Sequence, residues 1–243
     1  MGESSNAESR SMSDLERELR NNLEIVFEKV EKACERAGRK REEVKVLGAS
    51  KGQSVEKIQI VHKLGIKLFG ENYVQEAERK IALLKELPIE WHFIGRLQTN
   101  KVKKAIKLFH VIESVDRIEL IDELEKRLLR QGIGQKVLIE VNIGKELSKG
   151  GVREEELEKL VERLSRSSSL EVCGLMCLPP WSEDPQKSRP YFQKMRKLFE
   201  DLKPIFGQSF TELSMGTSHD FEIAIEEGAT IVRIGTLLFG SRT

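Results

Sequence analysis

The chain has 243 residues, 33% of them charged and 39% hydrophobic, with 41 basic against 40 acidic side chains and a formal net charge of +1. That length suits one α/β barrel or two small domains and is enough to bury a sizeable core. The charge balance leaves no footprint for nucleic acid or an acidic membrane surface, and no apolar run approaches a membrane span.

Residues 1–13 are polar with almost nothing to pack, which predicts a disordered tail; Glu3 and Glu8 argue against a transit peptide. Ser13 or Asp14 then caps a long helix. Its stripe runs through Leu15, Leu19, Leu23, Val26 and Val30 toward Ala33, and Gly38 ends it. It precedes the first strand and is expected to be an extra packing element.

From Val44 onward a short apolar strand and an amphipathic helix alternate. Strands are predicted at 44–50, 67–70, 90–94, 108–114, 136–141, 171–176, 212–215 and 230–234. Helices are predicted at 55–64, 73–87, 98–106, 117–130, 154–165, 190–203 and 221–227. Eight such units in this length imply a single (β/α)8 barrel over residues 14–243, an open doubly wound sheet being the alternative. The three cysteines are Cys34, Cys173 and Cys177. Their odd number, without a signal peptide, favours a reducing cytoplasm. Cys173 and Cys177 lie in an apolar run with no histidine near, so they are expected to be buried structural thiols and no metal site is expected.

A barrel places functional residues just after its strands. Lys51 closes the first strand before the turn Gly52-Gln-Ser54. A solvated loop lysine fits that position; so does a partly desolvated lysine that is nucleophilic toward carbonyls and forms a Schiff base. After strand two comes Gly70-Glu-Asn72. Strand three carries His92, and strand six ends at Met176. The loop Ser214-Met-Gly-Thr-Ser218 precedes a helix, and Gly235-Thr236 follows strand eight. Two hydroxyl-and-glycine loops after strands seven and eight suit a phosphate, although Ser218 or Asp220 could equally serve as an ordinary helix cap. Arg233 lies inside an apolar strand, where it needs a carboxylate such as Glu71 or Asp220, or else a ligand ring nitrogen or phosphate. A phosphate site, a strand-end lysine and a strand arginine together suggest pyridoxal phosphate.

The segments Ala49-Ser-Lys51, Phe69-Gly-Glu-Asn-Tyr-Val-Gln-Glu76, Trp91-His-Phe-Ile-Gly95, Leu97-Gln-Thr-Asn-Lys101, Gly174-Leu-Met176, Leu213-Ser-Met-Gly216 and Val232-Arg-Ile-Gly-Thr236 closely resemble the YggS/PROSC family of pyridoxal-phosphate-binding proteins of vitamin B6 homeostasis. The resemblance spans roughly residues 23–242. It implies a barrel like the N-terminal domain of alanine racemase (fold type III), with pyridoxal phosphate held as a Schiff base on Lys51. It further implies Ser214, Gly216, Thr217, Ser218, Gly235 and Thr236 as phosphate-loop residues, Arg233 at the pyridine nitrogen, and Asn72, His92 and Met176 along the ring pocket. The chain departs from the family at Gly52-Gln53-Ser54 and at Thr217. By analogy with the racemase a second base would be a tyrosine from another domain, and this chain's tyrosines are only Tyr73 and Tyr191. The expectation is therefore a cytoplasmic carrier or regulatory protein without robust turnover, a monomer or weak homodimer, with pyridoxal-phosphate-dependent apo-enzymes as partners. A weak amino-acid racemase or lyase using Lys51 as sole base is the rival. A barrel binding another phosphate ester, with a sugar on Lys51, is the third.

Overall fold

Each apolar run becomes a parallel strand, and the eight strands close on themselves in sequence order. The computed structural model describes residues 3–241, with side chains from Asp14 onward. The strands are β1 (Lys45–Ala49), β2 (Leu68–Glu71), β3 (Glu90–Phe93), β4 (Val111–Val115), β5 (Gln135–Val141), β6 (Leu170–Cys177), β7 (Glu212–Ser214) and β8 (Ile231–Ile234). The seam pairs β1 with β8 from Lys45↔Ile231 to Gly48↔Ile234. The helices are α1 (Glu3–Arg36), α2 (Val55–Lys63), α3 (Val74–Leu83), α4 (Val102–Leu108), α5 (Ile118–Gln131), α6 (Glu154–Ser165), α7 (Arg189–Phe206), α8 (Phe221–Glu226) and α9 (Thr236–Phe239).

Strand alternation sorts the core into two shells. Val46, Phe69, Trp91, Ile112, Val137, Leu213 and Val232 face outward into the layer under the helices. Their neighbours face the barrel interior, which holds two separate apolar clusters. One is Leu47, Leu68 and Ile231, with Ala49 and Ile94 packed on it. The other is Val111, Leu138, Cys173 and Met176. A barrel interior is ordinarily filled by branched apolar layers. Here buried polar residues on β3, β4, β5, β7 and β8 accompany them: His92, Glu113, Glu140, Ser214 and Arg233.

Helix α1 is the extra element expected. Its stripe Leu19, Leu23, Val26, Val30 and Ala33 is buried, and it packs on α2, α8 and α9 across the seam where the barrel closes. Asn22 Nδ2 donates to the Leu238 carbonyl (3.1 Å), and Arg39 Nη1 to the carbonyls of Ile225 (2.7 Å) and Ala229 (2.8 Å). Its backbone is helical from Glu3, ahead of the cap expected at Ser13 or Asp14. The tail expected over residues 1–13 lies outside the residues whose side chains are described.

From Val44 onward, four boundaries differ from the expected ones by three or more residues. α3 stops at Leu83 rather than running to 87, because Pro88 disfavours helical backbone at Leu87. α4 begins at Val102, after a 3-10 turn over Thr99–Lys101. β4 begins at Val111 because Leu108 still belongs to α4, and the apolar run across that junction carries no breaker. α7 continues past Lys203 to Phe206 with Pro204 in its last turn. Helix α9 follows Gly235 where only a tail was expected.

Candidate functional site

The turn after β1 is built to present Lys51. Gly52 takes a left-handed φ of 68°, which glycine adopts without steric cost. Its N–H donates to Glu76 Oε1 (2.7 Å), and Ser54 Oγ caps α2 by accepting from the Lys57 N–H (3.2 Å). Behind the turn lies a buried ion pair. Lys80 Nζ donates to Glu71 Oε1 (2.7 Å) and to the Ser50 carbonyl (2.7 Å), while Ser50 Oγ donates to the same carboxylate (2.9 Å). The residue before Lys51 is thereby fixed on both its polar groups. The Lys51 ammonium stands 5.2 Å from the centre of the Tyr73 ring, whose π face attracts a cation.

Lys51 opens into a cavity of about 200 Å³ at the C-terminal mouth of the barrel. Ala49, Gln53, Asn72, Ile94, Leu178, Thr217, Arg233, Gly235 and Thr236 complete its lining. Six residues singled out from sequence thus share one wall: Lys51, Asn72, Thr217, Arg233, Gly235 and Thr236. A larger hollow of about 920 Å³ lies where β3, β5 and β6 begin, lined by Glu90, Gln135, Lys136 and Ser167 to Leu170. It contains none of those six, and it opens at the end of a barrel where residues serve stability rather than chemistry.

The loops after β7 and β8 are tied together at this mouth. Asp220 Oδ1 accepts from the Thr217 N–H (2.9 Å), and Ser188 Oγ donates to its other oxygen (2.8 Å). Ser218 Oγ accepts from the Leu237 N–H (3.2 Å), joining the loop after β7 to the first turn of α9. Gly216 is required by packing. Its φ is 96°, and a Cβ there would lie 2.6 Å from the Ala224 Cβ. It backs the loop against α8 and is not part of the cavity lining.

Three other candidates lie below the mouth. Met176 is fully buried in the apolar cluster with Val111 and Leu138, so it does not line the cavity. His92 and Ser214 belong to a buried polar chain. His92 Nε2 lies 3.0 Å from Glu90 Oε1, and its Nδ1 lies 2.7 Å from Glu113 Oε1. Ser214 Oγ donates to Glu113 Oε2 (2.6 Å) and accepts from Arg233 Nη1 (2.8 Å). Arg233 Nη2 donates to the Cys177 carbonyl (2.8 Å). Arg233 therefore meets neither Glu71, which is taken by Lys80, nor Asp220. Ser214 serves the guanidinium instead of the phosphate loop.

Sequence reasoning did not select Glu90, Glu113 and Glu140. Burial alone would lower the His92 pKa, but the hydrogen bonds to Glu113 and Glu90 outweigh it and raise it to about 9. Burial pushes the Glu113 carboxyl up, yet the His92 hydrogen bond and charge, then the Arg233 charge, hold it below the usual range. Burial, with Asp116 beside it, lifts Glu140 to about 7. Cys173 and Cys177 are buried and unpaired, with burial pushing their thiols to about 11 and about 12. Among the described residues no group of three or more His, Cys, Asp or Glu side chains could hold a metal, and no helix is long and apolar enough to cross a membrane.

The raised His92 pKa is a statement about stability. The folded state holds this proton more tightly than the unfolded chain does at an ordinary 6.5. Its contribution is complete below about pH 6.5 and disappears as pH rises through about 9. The loss is on the order of 3 kcal/mol at 1.36 kcal/mol per unit. Urea unfolding across that window should show the decline in wild type and a flatter profile in His92→Gln. An identical decline in the variant would assign it to other groups.

The profile of the alanine racemase N-terminal domain family matches residues 15–243. The chain is 52% identical over 220 residues to a pyridoxal phosphate homeostasis protein of Aquifex aeolicus, covering 90% of this chain and 96% of the relative. Among solved structures it is similar to an unknown protein from Bifidobacterium adolescentis, with a TM-score of 0.85, 32% identity, and 93% and 96% of the two chains covered. It is also similar to PipY of Synechococcus elongatus with pyridoxal phosphate bound, with a TM-score of 0.75, 35% identity, and 82% and 93% covered.

Proposed function

This chain belongs to the pyridoxal phosphate homeostasis family, built on the alanine racemase N-terminal domain, and on that premise we propose that it binds pyridoxal phosphate reversibly at the barrel mouth, with Lys51 as the amine that bonds its aldehyde carbon. The observation that carries this reading is the convergence of Lys51, Arg233, Thr217 and Thr236 on one cavity of about 200 Å³.

The residues fit the group. A pyridine phosphate needs an amine, an anion cradle and a partner for its ring nitrogen, and the lining supplies each. The hydroxyls of Thr217 and Thr236 suit the phosphate. The Arg233 guanidinium, with two of its donors committed to Ser214 and Cys177, keeps others for the ring nitrogen. Asn72, Ile94 and Leu178 offer flanking surface, and Gln53 joins them where the chain departs from the family pattern. When bound, the group supplies an electrophilic aldehyde and an electron-withdrawing ring. Lys51 would have to give up its proton to serve as the amine toward that aldehyde.

We read the protein as a carrier or regulator. Tyr73 stands against Lys51 itself, so it is poorly placed to act as a second base across the cavity. A guanidinium at the ring nitrogen leaves that nitrogen unprotonated and the electron sink weak. Wild type should racemise or deaminate alanine and serine no faster than free cofactor does; robust turnover would sink the non-catalytic reading. In this reading the carrier acts as a monomer or weak homodimer, and pyridoxal-phosphate-dependent apo-enzymes would be the recipients. Three buried, unpaired thiols suit the reducing cytoplasm.

The phosphate contacts have their own test. Each charge-assisted hydrogen bond to an oxyanion contributes roughly 1.5–3 kcal/mol. Two or more such bonds should make unphosphorylated pyridoxal bind about a hundredfold or more weakly, with inorganic phosphate competing against pyridoxal phosphate in equilibrium dialysis. Equal affinity for the two vitamers would remove Thr217 and Thr236 from the site.

A further inference from the structure

We propose that Glu113, acting through Ser214, is a positioning residue that aims Arg233 at the pyridine nitrogen and so sets the site's preference for a ring that carries one. The inference rests on the reading that pyridoxal phosphate occupies the mouth.

The geometry leaves the chain little freedom. Ser214 has one hydroxyl proton, and it is given to Glu113 Oε2 at 2.6 Å. Its lone pairs are thereby turned toward Arg233 Nη1, 2.8 Å away. The Cys177 carbonyl takes Nη2 on the other side, so the planar fork is gripped at two points and its orientation is fixed. Glu113 is itself held, because its second oxygen meets His92 Nδ1 at 2.7 Å. Both Glu113 and Ser214 are fully buried, and Arg233 is 4% exposed. Glu113 is the carboxylate set between two cationic side chains, His92 and Arg233, with Glu90 and Glu140 as the further carboxylates that bear on them.

A purely structural role explains this arrangement poorly. A buried ionic chain is rarely more stabilising than apolar residues of the same volume, and the same barrel packs apolar clusters on either side. The chain leads to the wall of the Lys51 cavity and ends on a guanidinium with donors to spare. Preorganised donors of that kind gain their worth when a ligand arrives.

The test compares pyridoxal phosphate with its 1-deaza analogue, in which a C–H replaces the ring nitrogen. Dissociation constants are measured by equilibrium dialysis on full-length wild type, Glu113→Gln and Ser214→Ala, with thermal unfolding to report folding. Wild type should favour the natural ring by about tenfold or more, the worth of one charge-assisted hydrogen bond. Both variants should lose most of that preference and bind the deaza analogue as wild type does. If Glu113→Gln fails to fold, Ser214→Ala decides alone, since it removes only one oxygen. Variants that weaken both ligands equally would show a structural role and overturn the proposal. Wild type binding both ligands alike would remove the ring-nitrogen contact, and the proposal with it. Failure of wild type to bind either would refute the cofactor reading itself.

Discussion

Lys51→Ala is expected to abolish the visible absorption band that pyridoxal phosphate gives on the wild-type protein and to weaken its retention about a hundredfold or more. The covalent bond needs this amine, and the rest of the cavity lining offers no other primary amine. Folding should be nearly untouched. The ammonium makes no ion pair among the described residues, only the 5.2 Å approach to Tyr73, an interaction worth about 0.5–1 kcal/mol at an exposed site. The measurements are absorption spectra and thermal unfolding of the two proteins side by side. A variant that keeps the band would place the amine elsewhere. A variant that loses both band and fold would make Lys51 a structural residue.

Arg233→Gln should carry the second large effect, because it removes a guanidinium that serves the ligand and the barrel together. Glu113 and Glu140 lose a buried cation that lowers the pKa of each. Arg233 acts on both from a distance, through Ser214 toward Glu113, so the cost of leaving these carboxylates without their cation is bounded by the roughly 3–5 kcal/mol of a directly broken buried pair. The fraction that still folds should bind pyridoxal phosphate about ten- to a hundredfold more weakly, the worth of a charge-assisted hydrogen bond. Chemical denaturation and dialysis read the two effects separately. Unchanged stability together with unchanged affinity would remove Arg233 from both roles. A glutamate at this position is the obvious way to strengthen the electron sink, but it would face Glu113 and Glu140 and set three carboxylates in one interior. The glutamine variant is therefore the cleaner probe.

The barrel was legible because its code is local. Each strand is an apolar run of three to eight residues, each helix an amphipathic stretch, and glycine, proline or a cap separates most of them. The residues at strand ends were legible for the same reason: Lys51, Asn72, Arg233, Gly235 and Thr236 fall where a barrel opens, and they meet on one cavity. Packing was less legible. Glu71 and Lys80 are nine positions apart, on a strand and the helix after it, and nothing local pairs them. The chain from Glu90 to Arg233 draws on β3, β4, β7 and β8, whose register only the closed sheet sets. One signal was present: Glu90, His92, Glu113, Glu140 and Arg233 are charged or titratable residues inside apolar strands. Counting alternate positions along each strand would have turned them all inward. The family resemblance implies a place along the ring pocket for His92 and Met176 and in the phosphate loop for Ser214. The structure gives them the layer beneath.

A bond between Lys51 and the cofactor's aldehyde carbon can be trapped by reduction and located on the chain. Wild-type protein loaded with pyridoxal phosphate is reduced with borohydride, digested, and its peptides mapped by mass spectrometry. A phosphopyridoxyl group is expected on Lys51 and on no other lysine in stoichiometric amount. A group trapped on Lys101 or Lys149 instead, or cofactor that washes away after reduction, would contradict it.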